Sequence, residues 1–282
     1  MAEDSRSVLT RAAPAADLTL AYGPHADQVL DLRMPRDGRG APVVAVLHGG
    51  FWRPQYDRAH VGPLAHDLAG RGWPVAVLEY RRTGWADTAA DVAAGLAALP
   101  SLAGPPLVRA GVPAPEGVLL LGHSAGGHLA LWAAVEHPAA VRGALALAPV
   151  ADLAEAHRLD LDGGAVADLL GGGPAEVPDR YAAADPLRRP RPHRVTLVHG
   201  AADRQVPVAQ SRRYAAAHGV PLVELAGVAH FDLIDPRAAA WPAVCAALAA
   251  LADAPDRPPG AAPAGPGAAQ APVDPASLRR SR

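Results

Sequence analysis

Predominantly apolar runs recur along the chain at residues 43–47, 75–80, 118–121, 144–147, 195–198 and 221–225. Runs of that length with no polar alternation suit strands covered on both faces, as in a parallel sheet. Segments with helical spacing separate them, at residues 60–70, 83–99, 127–137, 208–218 and 237–252. The alternation predicts right-handed βαβ crossovers and an α/β fold with a doubly wound, mostly parallel sheet and helices on both faces. Upstream, residues 18–22 and 28–33 alternate between apolar and polar around a turn that contains Gly23-Pro24, which predicts an antiparallel pair at one sheet edge.

The rhythm breaks in residues 151–193, where Asp, Gly and Pro accumulate around a short helical stretch at 166–170. This region is expected to be a small cap-like insertion over the carboxyl ends of the strands. Residues 1–15 and the Pro/Ala/Gly-rich residues 253–282 show no periodicity, so both ends are expected to be disordered and outside the core. Residues 16–252 are left as one domain.

Composition narrows the class. Half of the 282 residues are apolar, enough for one large core. The 26 basic residues are all arginine, scattered among 28 acids for a net charge of −2, so no basic stripe suggests a nucleic-acid partner. The amino terminus is acidic and lacks an apolar leader core, and the expectation is a cytoplasmic protein without a membrane partner. The single cysteine, Cys245, lies in an apolar helical segment and is expected to pack. Oligomeric state is left open.

The chemistry gathers where strands end, the position at which open α/β sheets place their sites. Gly122-His123-Ser124-Ala125-Gly126 lies between an apolar strand and a helix, so Ser124 occupies the apex of a sharp strand-turn-helix bend. A serine hydroxyl needs an adjacent base, and the base needs a carboxylate to hold its ring. His230 follows the last apolar run and is the favoured base. Asp203, after residues 195–198, is the favoured acid, with Asp152 as its rival after residues 144–147. The order Ser, Asp, His fits an elbow enzyme.

His48-Gly49-Gly50-Phe51-Trp52 closes an earlier strand, and its glycines let main-chain N–H groups approach a substrate. Gly49 and Gly50, with Ala125, are the candidate oxyanion-hole donors. Phe51, Trp52 and His123 are candidate substrate-binding residues, although aromatic side chains beside turns also serve as ordinary packing. Glu79-Tyr80-Arg81-Arg82 ends a neighbouring strand and is expected to brace the His48 loop. Neither a metal-ligand spacing nor a phosphate-loop motif occurs, so no metal site is expected.

Together these segments resemble the α/β-hydrolase superfamily. The forms HGGFW at 48–52, GHSAGGHLA at 122–130, HGAAD at 199–203 and AHFDLIDP at 229–236 are similar to the kynurenine formamidase (arylformamidase) and carboxylesterase branch. The resemblance spans about residues 18–251. It implies Ser124 as nucleophile, Asp203 as acid, His230 as base, and a cofactor-free serine hydrolase acting on a small-molecule ester or a non-peptide amide. A prolyl-oligopeptidase-type peptidase and a catalytically silent binding protein of the same fold are the alternatives.

Overall fold

The computed structural model describes residues 5–36 and 41–254. Eight strands form one sheet: β1 (Leu18–Ala21), β2 (Val29–Arg33), β3 (Val43–Leu47), β4 (Val75–Leu78), β5 (Val118–His123), β6 (Val141–Leu147), β7 (Val195–Gly200) and β8 (Leu222–Leu225). Their spatial order is β1-β2-β4-β3-β5-β6-β7-β8. The edge pair β1 and β2 runs antiparallel as the alternation predicts, and β2 pairs antiparallel with β4. All remaining pairings are parallel. The order of the strands reverses about β3, which has β4 on one side and β5 on the other, a switch point of the kind beside which open α/β sheets place their sites at the strands' carboxyl ends.

Every residue of β3, β4 and β5 is buried, and successive side chains enter opposite cores. Val44, Val46, Leu119, Leu121, Leu145 and Leu147 pack with α1 (Gly62–Gly70) and α8 (Trp241–Asp253) on one face. Ala45, Leu47, Leu120, Ala144, Ala146 and Leu197 pack on the other with α2 (Trp85–Arg109), α3 (Ala125–Glu136) and α7 (Ala209–His218). Cys245 is half-buried beside the first of these cores.

Three expectations need correction. The helix expected to stop at Leu99 runs on through Pro100, Pro105 and Pro106 to Arg109, because Leu99, Ala103 and Leu107 continue the apolar stripe facing the sheet. The 151–193 insertion contains more than one short helix: α4 (Leu153–Arg158), α5 (Ala165–Leu170) and α6 (Pro178–Ala184). The amino-terminal residues are not detached. A 3₁₀ helix at Ser5–Thr10 docks on the domain with Val8 fully buried in the core beside α1 and α8. The Arg33 guanidinium then donates to the carbonyls of Pro14 and Ala15 at 2.7 and 3.1 Å. The carboxyl-terminal tail expected at 253–282 lies outside the described residues beyond Ala254.

Candidate active site

Ser124 caps the amino end of α3 directly after β5, with φ +58° and ψ −118°. This is left-handed backbone on a non-glycine residue, a strain that the surroundings must hold in place. The flanking glycines make the bend possible. A Cβ on Gly122 would lie 2.1 Å from the Gly126 carbonyl oxygen, and one on Gly126 would lie 2.0 Å from the Leu47 carbonyl oxygen. Those obstructions are backbone and cannot swing aside, so α3 packs this closely on β3 and β5 only with glycine at both positions.

The loop after β7 and the loop after β8 meet next to this bend. The His230 Nδ1–H donates to Asp203 Oδ2 at 2.5 Å, and both side chains are buried. Asp203 Oδ1 accepts from the backbone N–H groups of Gln205 and Val206 at 2.8 and 2.9 Å, which fixes the carboxylate plane. His199 adds a further layer. Its Nε2–H points at the Val206 carbonyl at 2.9 Å and lies 3.3 Å from Asp203 Oδ2, while the Ser211 hydroxyl meets its Nδ1 at 2.7 Å. Burial alone would raise the Asp203 pKa, but the bonds from His199, His230 and the Val206 N–H outweigh it and hold the carboxyl well below the usual carboxylate range. Asp203 is therefore ionised beside the imidazole.

Ser124 and His230 line the same cleft, which is also bordered by Gly50, Phe51, Tyr56 and Phe231. Among the described residues, no direct hydrogen bond joins the Ser124 hydroxyl to the His230 ring. Such bonds are often long in the absence of substrate and tighten when it binds.

Opposite the bend, the loop after β3 crosses the cleft. A Cβ on Gly49 would lie 2.9 Å from the His123 carbonyl oxygen and 3.1 Å from the Ser124 Cβ, so a side chain there would push the loop off the bend. Gly50 has φ +108°, and a Cβ there would meet the Tyr56 Cβ at 2.4 Å. Phe51 and Trp52 follow at φ +48° and +56°, which extends the strained turn over non-glycine residues. Ala125 opens α3, so its N–H has no partner within the helix and is available to a ligand.

The Glu79-Tyr80-Arg81-Arg82 segment braces this loop. The Tyr80 hydroxyl donates to the His48 carbonyl at 2.7 Å, and the two rings stack at 4.4 Å. His48 reaches the Glu79 carboxylate through Nε2 at 2.9 Å and the Gly49 carbonyl through Nδ1 at 2.8 Å. Glu79 also accepts the Arg58 N–H at 2.9 Å and pairs with Arg82. Burial works to raise the Glu79 pKa, but His48, the Arg58 N–H and Arg82 bring it down to about 2.

The sequence candidates divide in space. Asp203 meets His230, whereas Asp152 caps α4 by accepting the Glu155 N–H at 2.9 Å and pairs with Arg213 at 3.2 Å. Phe51 and His123 border the cleft. His123 donates through Nε2 to the His230 carbonyl at 3.1 Å, and burial together with the neighbouring His230 holds its pKa well below the ordinary histidine value. Trp52 is not on the cleft wall: it is buried edge-on against His128 at 5.1 Å. Trp85 packs on Trp132 at 5.0 Å behind it. The sequence reading missed Tyr56, His60 and Gln205, which border the cleft and lie within a few residues of its motifs. It also missed Arg6 and Leu9, which line the cleft from the amino-terminal segment and carry no motif.

The model of the prolyl oligopeptidase family matches residues 106–229, which include Ser124 and Asp203. A probable isoprenylcysteine alpha-carbonyl methylesterase of Oryza sativa subsp. japonica is 34% identical over 125 residues, covering 43% of this chain and 29% of that protein. The chain thus spans less than a third of that relative's length. Among solved structures, a truncated carbohydrate esterase from gut microbiota superposes with a TM-score of 0.66 at 18% identity, covering 81% of this chain and 93% of the other. An esterase of Thermogutta terrifontis gives 0.63 at 23% identity, covering 84% and 91%. Esterase B of Lactobacillus rhamnosis gives 0.65 at 20%, covering 88% and 89%. The chain has the α/β-hydrolase fold.

Proposed function

We propose that this chain, an α/β-hydrolase by fold, is a cofactor-free serine hydrolase that cleaves small carboxylic esters or aryl formamides through an acyl-enzyme. The observation that carries the reading is the Asp203–His230 pair at 2.5 Å opening into the cleft that Ser124 also lines. In this reading His230 Nε2 takes the Ser124 proton as Oγ attacks the substrate carbonyl, while Asp203 holds the ring and balances its charge. The N–H groups of Ala125, Gly49 and Gly50 receive the developing oxyanion, each typically worth about 10²–10³ in rate. His230 then returns its proton to the leaving oxygen or nitrogen, and water releases the acyl group by the reverse path.

The similarity to a probable methylesterase and to esterases among the solved structures favours the ester half of this reading. The family-model match favours a second reading, a peptidase of the prolyl-oligopeptidase type. A substrate panel separates them: para-nitrophenyl acetate and butyrate, N-formylkynurenine, and glycyl-prolyl-para-nitroanilide, with Ser124→Ala as the blank. Ester turnover well above the blank with no anilide cleavage is expected. Anilide cleavage alone would establish the peptidase, and no turnover of any member would sink the hydrolase assignment.

A further inference from the structure

The amino-terminal segment is built into the wall of the cleft. Leu9 and Arg6 both line it, although the 3₁₀ helix that carries them is remote in sequence from every motif. Three anchors fix that helix. Val8 is fully buried. The Arg11 guanidinium grips both carboxylate oxygens of Asp235, one of them at 2.9 Å. Arg33 holds the Pro14 and Ala15 carbonyls a few residues on. Asp235 closes the turn that begins at His230, so the anchor ties the segment to the loop carrying the base.

The side of the cleft follows from the chemistry. When the tetrahedral intermediate collapses, the carbonyl carbon keeps its bond to Ser124 Oγ, the bond to the alcohol oxygen breaks, and that oxygen leaves with the proton from His230 Nε2. The alcohol must therefore lie on the His230 side of the scissile carbonyl. Phe231 borders the cleft on that side with its ring edge-on to His230 at 5.0 Å, and the Arg6 guanidinium sits over the Phe231 ring at 5.4 Å. Leu9, half-buried, stands three residues after Arg6 on the same 3₁₀ helix, where side chains at that spacing share a face, and it also borders the cleft.

We propose that residues 5–10 form the wall of the leaving-group subsite and that Leu9 limits the length of the alcohol accepted, which makes short-chain alkyl esters the preferred substrates. The inference rests on the serine-esterase reading above. Its test uses the full chain and two ester series. One varies the alcohol, from methyl to octyl acetate followed by titration of released acid. The other varies the acyl group, from para-nitrophenyl acetate to octanoate.

Leu9→Ala opens the wall and should raise kcat/KM for hexyl over methyl acetate by about tenfold, the scale of apolar pocket contacts. The acyl-series ratios should stay as in the unaltered chain. Leu9→Trp keeps an apolar contact and should shift the alcohol ratio the opposite way, so the inference does not depend on one variant folding. A shift in the acyl series instead, or unchanged ratios in variants with unaltered melting temperature, would overturn it. An unaltered chain that turns over no ester would remove the underlying reading as well, which is a distinguishable failure.

Discussion

At the scale of single residues, the site depends on close backbone approach, and that is why its motif is legible. Two glycines spaced around a serine signal a helix packed onto carbonyl oxygens, and Gly126 has the Leu47 and His48 oxygens within 2.5 Å of where a Cβ would stand. Gly126→Ala should lower stability by about 3 kcal/mol or more, since the obstruction is backbone, and urea unfolding measures it. Ser124→Ala and His230→Ala should each remove turnover to a similar extent and show no further loss when combined, as the proposed mechanism requires of a pair acting as a unit. Asp203→Asn should cost about 10⁴-fold in kcat by disturbing the histidine tautomer, whereas Asp152→Asn should leave kcat nearly unchanged. Sequence order alone kept both aspartates open, because each follows a central strand. The helix cap made by Asp152 and the His199, Gln205 and Val206 contacts around Asp203 exist only once the loops are folded. Trp52 shows the converse: beside a glycine turn it looked like a substrate contact, yet its φ of +56° turns the ring into the core against His128.

At the scale of elements, apolar runs marked every central strand because a parallel strand buried on both faces leaves no room for polar alternation. Helix ends were less legible. The Leu99, Ala103 and Leu107 stripe carries α2 across prolines that locally argue for termination, so tertiary burial overrides propensity there. The amino-terminal segment was illegible for another reason: one buried side chain, Val8, and two arginine clamps seat it, and none of these makes a periodic pattern. The 151–193 insertion is joined to the loop after β3 by Arg53, which donates to Asp162 Oδ2 at 3.0 Å and to the carbonyls of Asp162 and Gly163 at 2.7 and 3.1 Å. These contacts are partly exposed, so Arg53→Ala should change global stability by less than about 1 kcal/mol. Hydrogen exchange should nevertheless rise in residues 160–171 relative to the sheet, and an unchanged exchange pattern would show that Arg53 does not hold the insertion.

At the scale of the whole molecule, buried titratable groups set an acid limit on stability. Burial holds His60 and His128 down at about 4, with the neighbouring His48 adding to the effect at His60. The unfolded chain binds those protons from about pH 6.5 downward, so their contribution to stability is present above that pH and is lost as pH falls toward 4. Glu79, held at about 2, extends the loss below pH 4.5. Asp185 works in the opposite direction: burial raises it to about 6, so its ionised form costs stability above that pH. Asp185→Asn should therefore raise the urea midpoint at pH 8, with the gain vanishing near pH 4. The central claim, that Ser124 is made nucleophilic by His230 held on Asp203, has its most direct test in covalent labelling. Intact-mass spectrometry after reaction with a fluorophosphonate should show one adduct, mapped to Ser124, that disappears in Ser124→Ala and forms far more slowly in His230→Ala. An adduct elsewhere, or a labelling rate indifferent to His230, would contradict the account.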